Sequence, residues 1–293
     1  MPDPILEADG LWFWYGEGVP AVRDVNLAIG RGEFVTLLGA NGSGKTTLIK
    51  HFNGLLRPRR GRVRVAGQDT AGRSMGELAR QVGFLFQRPE QQIFSPTVQQ
   101  ELAFGPRNLG LPQVEIEARV EAALARFRLT AVAGQPPAIL SYGLRRRVTL
   151  ASLAAMDPPV LVLDEPTVGL DARGLEETFG WLVELHSQGR TIVLVTHDMA
   201  LAAAHAERVV VLAQGQVIAD GPPAELFRQN NVLARAALVP PPVTALAQAL
   251  GSHGMRGDSL TVEAFCEEYV ALVELLAGRG GSHATGAAQV QTP

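Results

Sequence analysis

Two short segments of this 293-residue chain carry side chains whose types and spacing can do chemistry, and they lie far apart in sequence. The first is GANGSGKT, made of Gly39, Ala40, Asn41, Gly42, Ser43, Gly44, Lys45 and Thr46, with Thr47 following. It satisfies the spacing G-x-x-x-x-G-K-[ST] and sits where an apolar strand, Glu33 to Leu38, passes into a helical pattern, Thr47 to Leu56. Its glycines let backbone N–H groups converge on phosphate oxygens, and the following helix presents its positive end to the same charge. Lys45 then reaches the β- and γ-phosphates, and the Thr46 hydroxyl suits magnesium. The second segment is the apolar run Val160 to Leu163, ending in Asp164 and Glu165. Ligands gather at the carboxyl ends of strands in open α/β sheets. Asp164 there suits Mg²⁺, directly or through water, and Glu165 suits the general base that polarises an attacking water.

The elements that must position these groups alternate in type. Strand-like runs cover Leu11–Tyr15, Val22–Ile29, Gly61–Val65, Val82–Phe86, Thr191–Thr196 and Arg208–Leu212, and helical patterns separate many of them. This predicts a largely parallel sheet covered on both faces. Between Gln87 and Met156 the pattern is mainly helical, with breaks at Pro89, Pro96, Pro106, Pro112 and Pro136-Pro137, and reads as an insert in the α/β core. Beyond about Leu226 two amphipathic segments follow. Val243, Leu246, Ala247 and Leu250 share one helical face, as do Val262, Phe265, Cys266, Tyr269, Leu272, Val273 and Leu276. The closing GRGGSHATGAAQVQTP has the composition of a mobile tail.

Composition disfavours several classes. The 26 basic and 29 acidic residues nearly cancel, so no general attraction to nucleic acid is indicated. The lone Cys266 permits no intramolecular disulfide and no cysteine metal cluster, as in a reducing compartment. The N-terminus lacks the regions of a secretory signal, and no apolar run reaches spanning length, so a membrane role requires other chains.

A third segment is the most specific. LSYGLRRR, Leu140 to Arg147, resembles the LSGGQ signature of ATP-binding cassette (ABC) ATPases, and PTVGLD, Pro166 to Asp171, resembles their D-loop. Gln87 in VGFLFQ stands at the Q-loop position, and His197 in VTHD matches the switch histidine. With the two segments above, the motifs run in the family's order over about residues 5–225. The resemblance implies an α/β P-loop NTPase fold: a nucleotide-binding domain over residues 1–225 with a mainly parallel core sheet, an antiparallel β subdomain and a helical insert at about 88–156. It also implies a helical C-terminal extension over 226–277 that serves dimerisation, then a flexible tail over 278–293.

The same resemblance implies ATP and Mg²⁺ as ligands and assigns roles. Two such domains face each other, and each ATP lies between the Walker residues of one and the signature of the other. Tyr15 would stack on adenine, with Trp12, Phe13 and Trp14 as competing aromatics. Gln87 would touch Mg²⁺ or the attacking water, and His197 the γ-phosphate. Ser141, Tyr142, Gly143 and Leu144 would act on the facing subunit's ATP, chiefly through the Ser141 hydroxyl and the Gly143 backbone, and Asp171 belongs to the D-loop. Tyr142 replaces the first signature glycine and Leu144 the glutamine, which predicts an altered phosphate contact at one composite site. The partner subunit is left open between a second copy and a different cassette.

Phe84 to Leu111 resembles the Q-loop region of ATPases in energy-coupling factor and cobalt or nickel importers, through Pro89, Gln92, Phe94, Thr97, Val98, Phe104, Gly105, Pro106 and Asn108. This implies ATP hydrolysis that drives uptake of a vitamin or metal ion, at the cytoplasmic face of the membrane. The partners would be a transmembrane coupling component and a substrate-binding membrane component, with no nucleic acid. The alternative is a soluble ABC ATPase of nucleic acid or translation; the long coiled-coil insertion or second fused cassette usual in that group is not seen.

Overall fold

Strands of two burial patterns build two sheets in the computed structural model, which describes residues 4–280. β1 (Leu6–Phe13) and β2 (Val22–Ile29) bury roughly every second residue. With β4 (Arg60–Val65) and β5 (Gln68–Asp69) they form an antiparallel sheet in the order β2-β1-β4-β5. By contrast β3 (Phe34–Leu38), β6 (Val82–Leu85), β7 (Val160–Asp164) and β8 (Thr191–Val195) bury every residue, the pattern of parallel strands covered on both faces. These join β9 (Arg208–Ala213) and β10 (Gln216–Gly221) in a sheet of order β10-β9-β3-β8-β7-β6, in which only β10, at the edge, runs antiparallel.

The helices are α1 (Lys45–Phe52), α2 (Met75–Ala79), α3 (Val98–Asn108), α4 (Gln113–Arg126), α5 (Tyr142–Met156), α6 (Ala172–Ser187), α7 (Met199–His205), α8 (Pro223–Leu226), α9 (Asn230–Arg235), α10 (Pro242–Ala249) and α11 (Val262–Gly280). One core, containing Leu6, Leu11, Val35, Leu37 and Val193, fills the space between the two sheets and takes in Leu48, Ile49 and Phe52 of α1. A second, with Leu161, Leu163, Leu102, Val120, Leu150 and Leu182, joins the other face of the parallel sheet to α3, α4, α5 and α6. At about 25 cal/mol per Å² such burial supplies most of the folding drive. The site therefore rests on a sheet held from both sides.

Several elements differ from the sequence reading. β1 begins at Leu6 and ends at Phe13, which leaves Trp14 and Tyr15 in the turn that follows. Pro106 does not break its helix: it lies in the last turn of α3, which continues to Asn108. The short strands β5 and β10 were not foreseen. Leu226, Phe227, Val232, Leu233 and Ala236 pack with Val209 and Val211 in a third core, so the segment just after residue 226 is an integral layer of the α/β body. α11 extends to Gly280, so residues 278–280 are helical; the rest of the expected tail lies outside the described residues. No helix among the described residues is long and apolar enough to cross a membrane.

Candidate functional site

Four neighbouring parallel strands deliver the predicted residues to one edge of the sheet. The carboxyl end of β3 feeds Gly39–Gly44, that of β6 leads to Gln87, β7 ends in Asp164 and Glu165, and β8 leads to Thr196 and His197. Gly39 has φ +150, and a Cβ there would stand 2.2 Å from the Leu212 carbonyl oxygen. Only glycine lets the loop leave β3 against β9 in this way. The chain then turns into α1, whose first residue is Lys45.

Asn41 to Thr47 and both carboxylates line a cavity of about 460 Å³, together with Gln87, Tyr15 and Ala21; Gly39 and Ala40 lie behind it, at the exit from β3. Lys45 folds back along the loop, donating from Nζ to the carbonyls of Gly39 (2.7 Å) and Ala40 (3.0 Å) and approaching Ser43 Oγ at 3.5 Å. Thr46 Oγ1 donates to Asp164 Oδ2 at 2.8 Å. Burial pushes the Asp164 carboxyl up from its ordinary range, against the Thr46 bond that draws it down; the neighbouring Glu165 adds to the rise. Burial likewise lowers the Lys45 ammonium, opposed by the charges of Glu165 and Asp164. A cation and two carboxylates thus share a space that water solvates poorly. Such a site favours a ligand bearing both phosphate negative charge and a divalent cation.

Glu165 is buried and held in the left-handed region at φ +51, a conformation that costs a non-glycine residue about 1–3 kcal/mol. Its N–H donates to the Val195 carbonyl at 2.9 Å, which fixes the backbone across the sheet. Its Oε1 lies 2.8 Å from Nδ1 of His197, and Thr196 Oγ1 donates to Oε2 at 3.4 Å. His197 is exposed and does not line the cavity; it meets the site through Glu165. Strain and hydrogen bonds together aim one carboxylate, the arrangement a water-activating base requires.

Of the four neighbouring aromatic residues, Tyr15 alone lines the cavity. Its hydroxyl lies 3.3 Å from Thr47 Oγ1, and its ring packs edge-on against Phe13 with centroids 5.0 Å apart. Phe13 is buried, and it also meets the buried His51 ring edge-on at 5.0 Å. Trp14 instead lies within 6.0 Å of the Arg59 and Arg60 guanidinium groups.

The signature residues sit apart. Ser141 caps α5, its Oγ accepting from the Leu144 N–H at 3.4 Å. Ser141, Gly143 and Leu144 line a second hollow of about 320 Å³ with Arg147, Gly169, Leu170 and Asp171; it shares no residue with the first. Asp171 caps α6 through the Gly174 N–H at 2.8 Å and pairs with Arg147 at 3.1 Å. Arg146 was missed as a site residue by the sequence reading. It is fully buried and bonds the carbonyls of Phe86 and Gln87. Its position four residues before Leu150 and seven before Leu153, on the apolar face of α5, was the available signal.

A parallel sheet with a glycine-rich loop at one strand end and paired acids at another defines a P-loop NTPase. Residues 22–168 match the ABC transporter family, and the chain belongs to the ATPases of that family. It is 40% identical over 261 residues to the energy-coupling factor transporter ATP-binding protein EcfA of Methanocaldococcus jannaschii, covering 88% of this chain and 92% of that one. It is 44% identical over 247 residues to the cobalt import ATP-binding protein CbiO of Rhodobacter capsulatus, covering 83% and 88%. Some relatives are longer: the chain spans 41% of a Methanosarcina acetivorans protein to which it is 42% identical. Among solved structures it resembles cbiO1 of Clostridium perfringens, part of the ABC transporter complex cbiONQ, with TM-score 0.68 and 38% identity over 79% of this chain and 94% of that one. A dimeric ATP-binding cassette in a post-hydrolysis state, bound to ADP and Pi, matches at TM-score 0.67 and 29% identity, over 74% and 98%.

Proposed function

We propose that this chain is the ATP-hydrolysing subunit of a membrane importer of the energy-coupling factor type, working at the cytoplasmic face and taking up a vitamin or transition-metal ion. The observation that carries the reading is the single cavity in which Lys45, the Thr46–Asp164 pair and the aimed Glu165 converge. The kinship with proteins named EcfA and CbiO supports the transport context.

On this reading Gly39 to Thr46 cradle the triphosphate, Lys45 leaves its carbonyl partners for the β- and γ-phosphates, and Tyr15 stacks on adenine. The Thr46 hydroxyl, Asp164 and Gln87 offer the hard oxygen donors that Mg²⁺ prefers, and the Thr46–Asp164 separation of 2.8 Å groups two of them. Mg²⁺ bound there would neutralise charge on the phosphates. Glu165 accepts a proton from the water that attacks the γ-phosphorus, and His197, bonded to Glu165, holds that carboxylate and would turn in from the rim to contact the γ-phosphate.

Ser141 and the Gly143 N–H, at the positive end of α5, serve the ATP of a facing cassette, with Asp171 in the D-loop at the same interface. The separation of the two hollows within one chain supports that division. The exposed pair Phe94 and Phe104, 4.5 Å apart, supports a groove on the helical insert for a transmembrane coupling component. The exposed Tyr269, Val270, Val273, Leu275 and Leu276 of α11 support a dimerising role for the C-terminal extension.

Phosphate release by the full chain, alone and with its co-purifying membrane chains, tests the function. Hydrolysis that stops on chelation of divalent cations and rises with the membrane chains is expected. ATP binding without phosphate release would reduce the chain to a regulatory module.

A further inference from the structure

The signature helix α5 is gripped on two sides by loops of this chain's own site. Arg146 is fully buried, and among the described residues no carboxylate pairs with it. A charged guanidinium out of water requires polar partners for its donors. Arg146 finds them for two of its nitrogens, in the Phe86 carbonyl at 2.8 Å from Nη1 and the Gln87 carbonyl bonded to Nη2, while its buried Nε has no partner among the described residues. One turn earlier the Tyr142 hydroxyl stands 3.5 Å from both the Gln87 carbonyl and Arg146 Nη2, with its ring 6.0 Å from the guanidinium. Arg145 adds an ion pair to Glu90 at 3.0 Å. Three residues of the first turns of α5 therefore hold the segment from Phe86 to Glu90.

The other side faces the D-loop. The Tyr142 ring lies on Gly169, which has φ +82; a Cβ at Gly169 would stand 2.3 Å from Tyr142 Cδ1. The ring thus fills space that a glycine at 142 leaves open, and it turns its bulk toward its own chain. At 3.5 Å the hydroxyl contacts are weak, so the ring's packing and the guanidinium fork carry the connection.

We propose that Tyr142 and Arg146 latch the signature helix to the backbone of Phe86 and Gln87, so that nucleotide bound in this chain's own cavity, which Gln87 lines, restrains the signature offered to the facing subunit. This rests on the ATPase reading above. Neither side chain lines the cavity, so both are positioning residues that act through Gln87.

Hydrogen exchange of the full chain tests the latch, with Mg²⁺ and a non-hydrolysable ATP analogue, at concentrations where light scattering reports a monomer. In the wild type, exchange is expected to slow both at Gly39–Thr47 and in the first turn of α5, the latter by about threefold or more. Tyr142→Gly and Arg146→Lys should keep the first protection and lose the second, while Tyr142→Phe, which keeps the ring, retains both. Protection of α5 that persists in Tyr142→Gly, or that appears in the wild type only as dimer forms, overturns the latch. Absence of protection at Gly39–Thr47 overturns the nucleotide reading instead. Should Arg146→Lys fail to fold, its melting curve reports it and Tyr142→Gly decides.

Discussion

The nucleotide cavity and the signature hollow are built on opposite physical terms. Around the cavity Lys45, Asp164 and Glu165 are buried, and the backbone is forced into positions that side chains resist: Gly39 against Leu212, and Glu165 at φ +51. Around the signature, Ser141 is exposed, a capping bond of 3.4 Å is all that fixes its hydroxyl, and no strained residue lies in the first turn of α5. A cavity whose groups must converge on one ligand has to hold them in place before that ligand arrives. A surface that acts on a second molecule needs only correct presentation. The contrast also recasts Tyr142: its ring turns inward onto Gly169 and Arg146, so its bulk is spent inside the chain.

Four perturbations break or sharpen this contrast. The largest effect falls in the cavity: Glu165→Gln removes the base while leaving the phosphate loop intact, and turnover should drop by about 10²–10⁴-fold with ATP binding retained. Phosphate release beside a binding titration checks it, and unchanged turnover removes Glu165 from its role. Next comes a pH effect confined to the cavity's foundation. His51, fully buried beneath Phe13, donates from Nδ1 to the Thr47 carbonyl at 2.8 Å, and burial lowers its pKa to about 4. The unfolded chain protonates this residue near pH 6.5 and the folded chain does not. Its contribution is therefore whole above about pH 6.5 and shrinks as pH falls toward 4, by a total of about 3 kcal/mol. Thermal melts from pH 7 to 4 should slope less for His51→Gln than for the wild type; equal slopes would place the proton elsewhere.

Smaller effects follow outside the cavity. Leu144→Gln, at a half-buried position that packs against the second core, restores the residue usual in the signature; it should change hydrolysis within about threefold and lower stability by about 1 kcal/mol. A large loss of stability would show that the signature hollow is as rigidly built as the cavity. Phe94→Ala in the exposed pair with Phe104 should leave the isolated chain's hydrolysis and melting unchanged within ~0.5 kcal/mol. It should lower only the stimulation by the membrane chains, measured as the ratio of turnover with and without them.

Much of the cavity was legible in the sequence because its residues are consecutive. GANGSGKT dictates a strand–turn–helix passage on its own, and the run Val160–Leu163 with its two acids dictates the strand end. The adjacency of β3, β8, β7 and β6, which brings Gln87 and Thr196 to the same edge, follows from parallel pairing of buried strands. What escaped reading depends on contacts distant in sequence. Arg146 reads as the middle of three solvated arginines, and only the carbonyls of Phe86 and Gln87, about sixty residues away, allow its burial. β10 escaped because an edge strand with no fully buried residue lacks a long apolar run. Pro106 misled because the helix survives the loss of one N–H bond so near its end, where only Arg107 and Asn108 follow.

The division of labour between the two regions is tested most directly by complementation. Two differently tagged copies, one carrying Glu165→Gln and the other Ser141→Arg, are co-expressed with the membrane chains, and complexes bearing both tags are isolated. If the signature serves the facing subunit, the Ser141→Arg copy keeps an intact cavity capped by the intact signature of the Glu165→Gln copy. One live site per complex then restores phosphate release well above that of either variant alone. Doubly tagged complexes that remain as inactive as the single variants would contradict the account, because they would confine Ser141 and Glu165 to the same ATP.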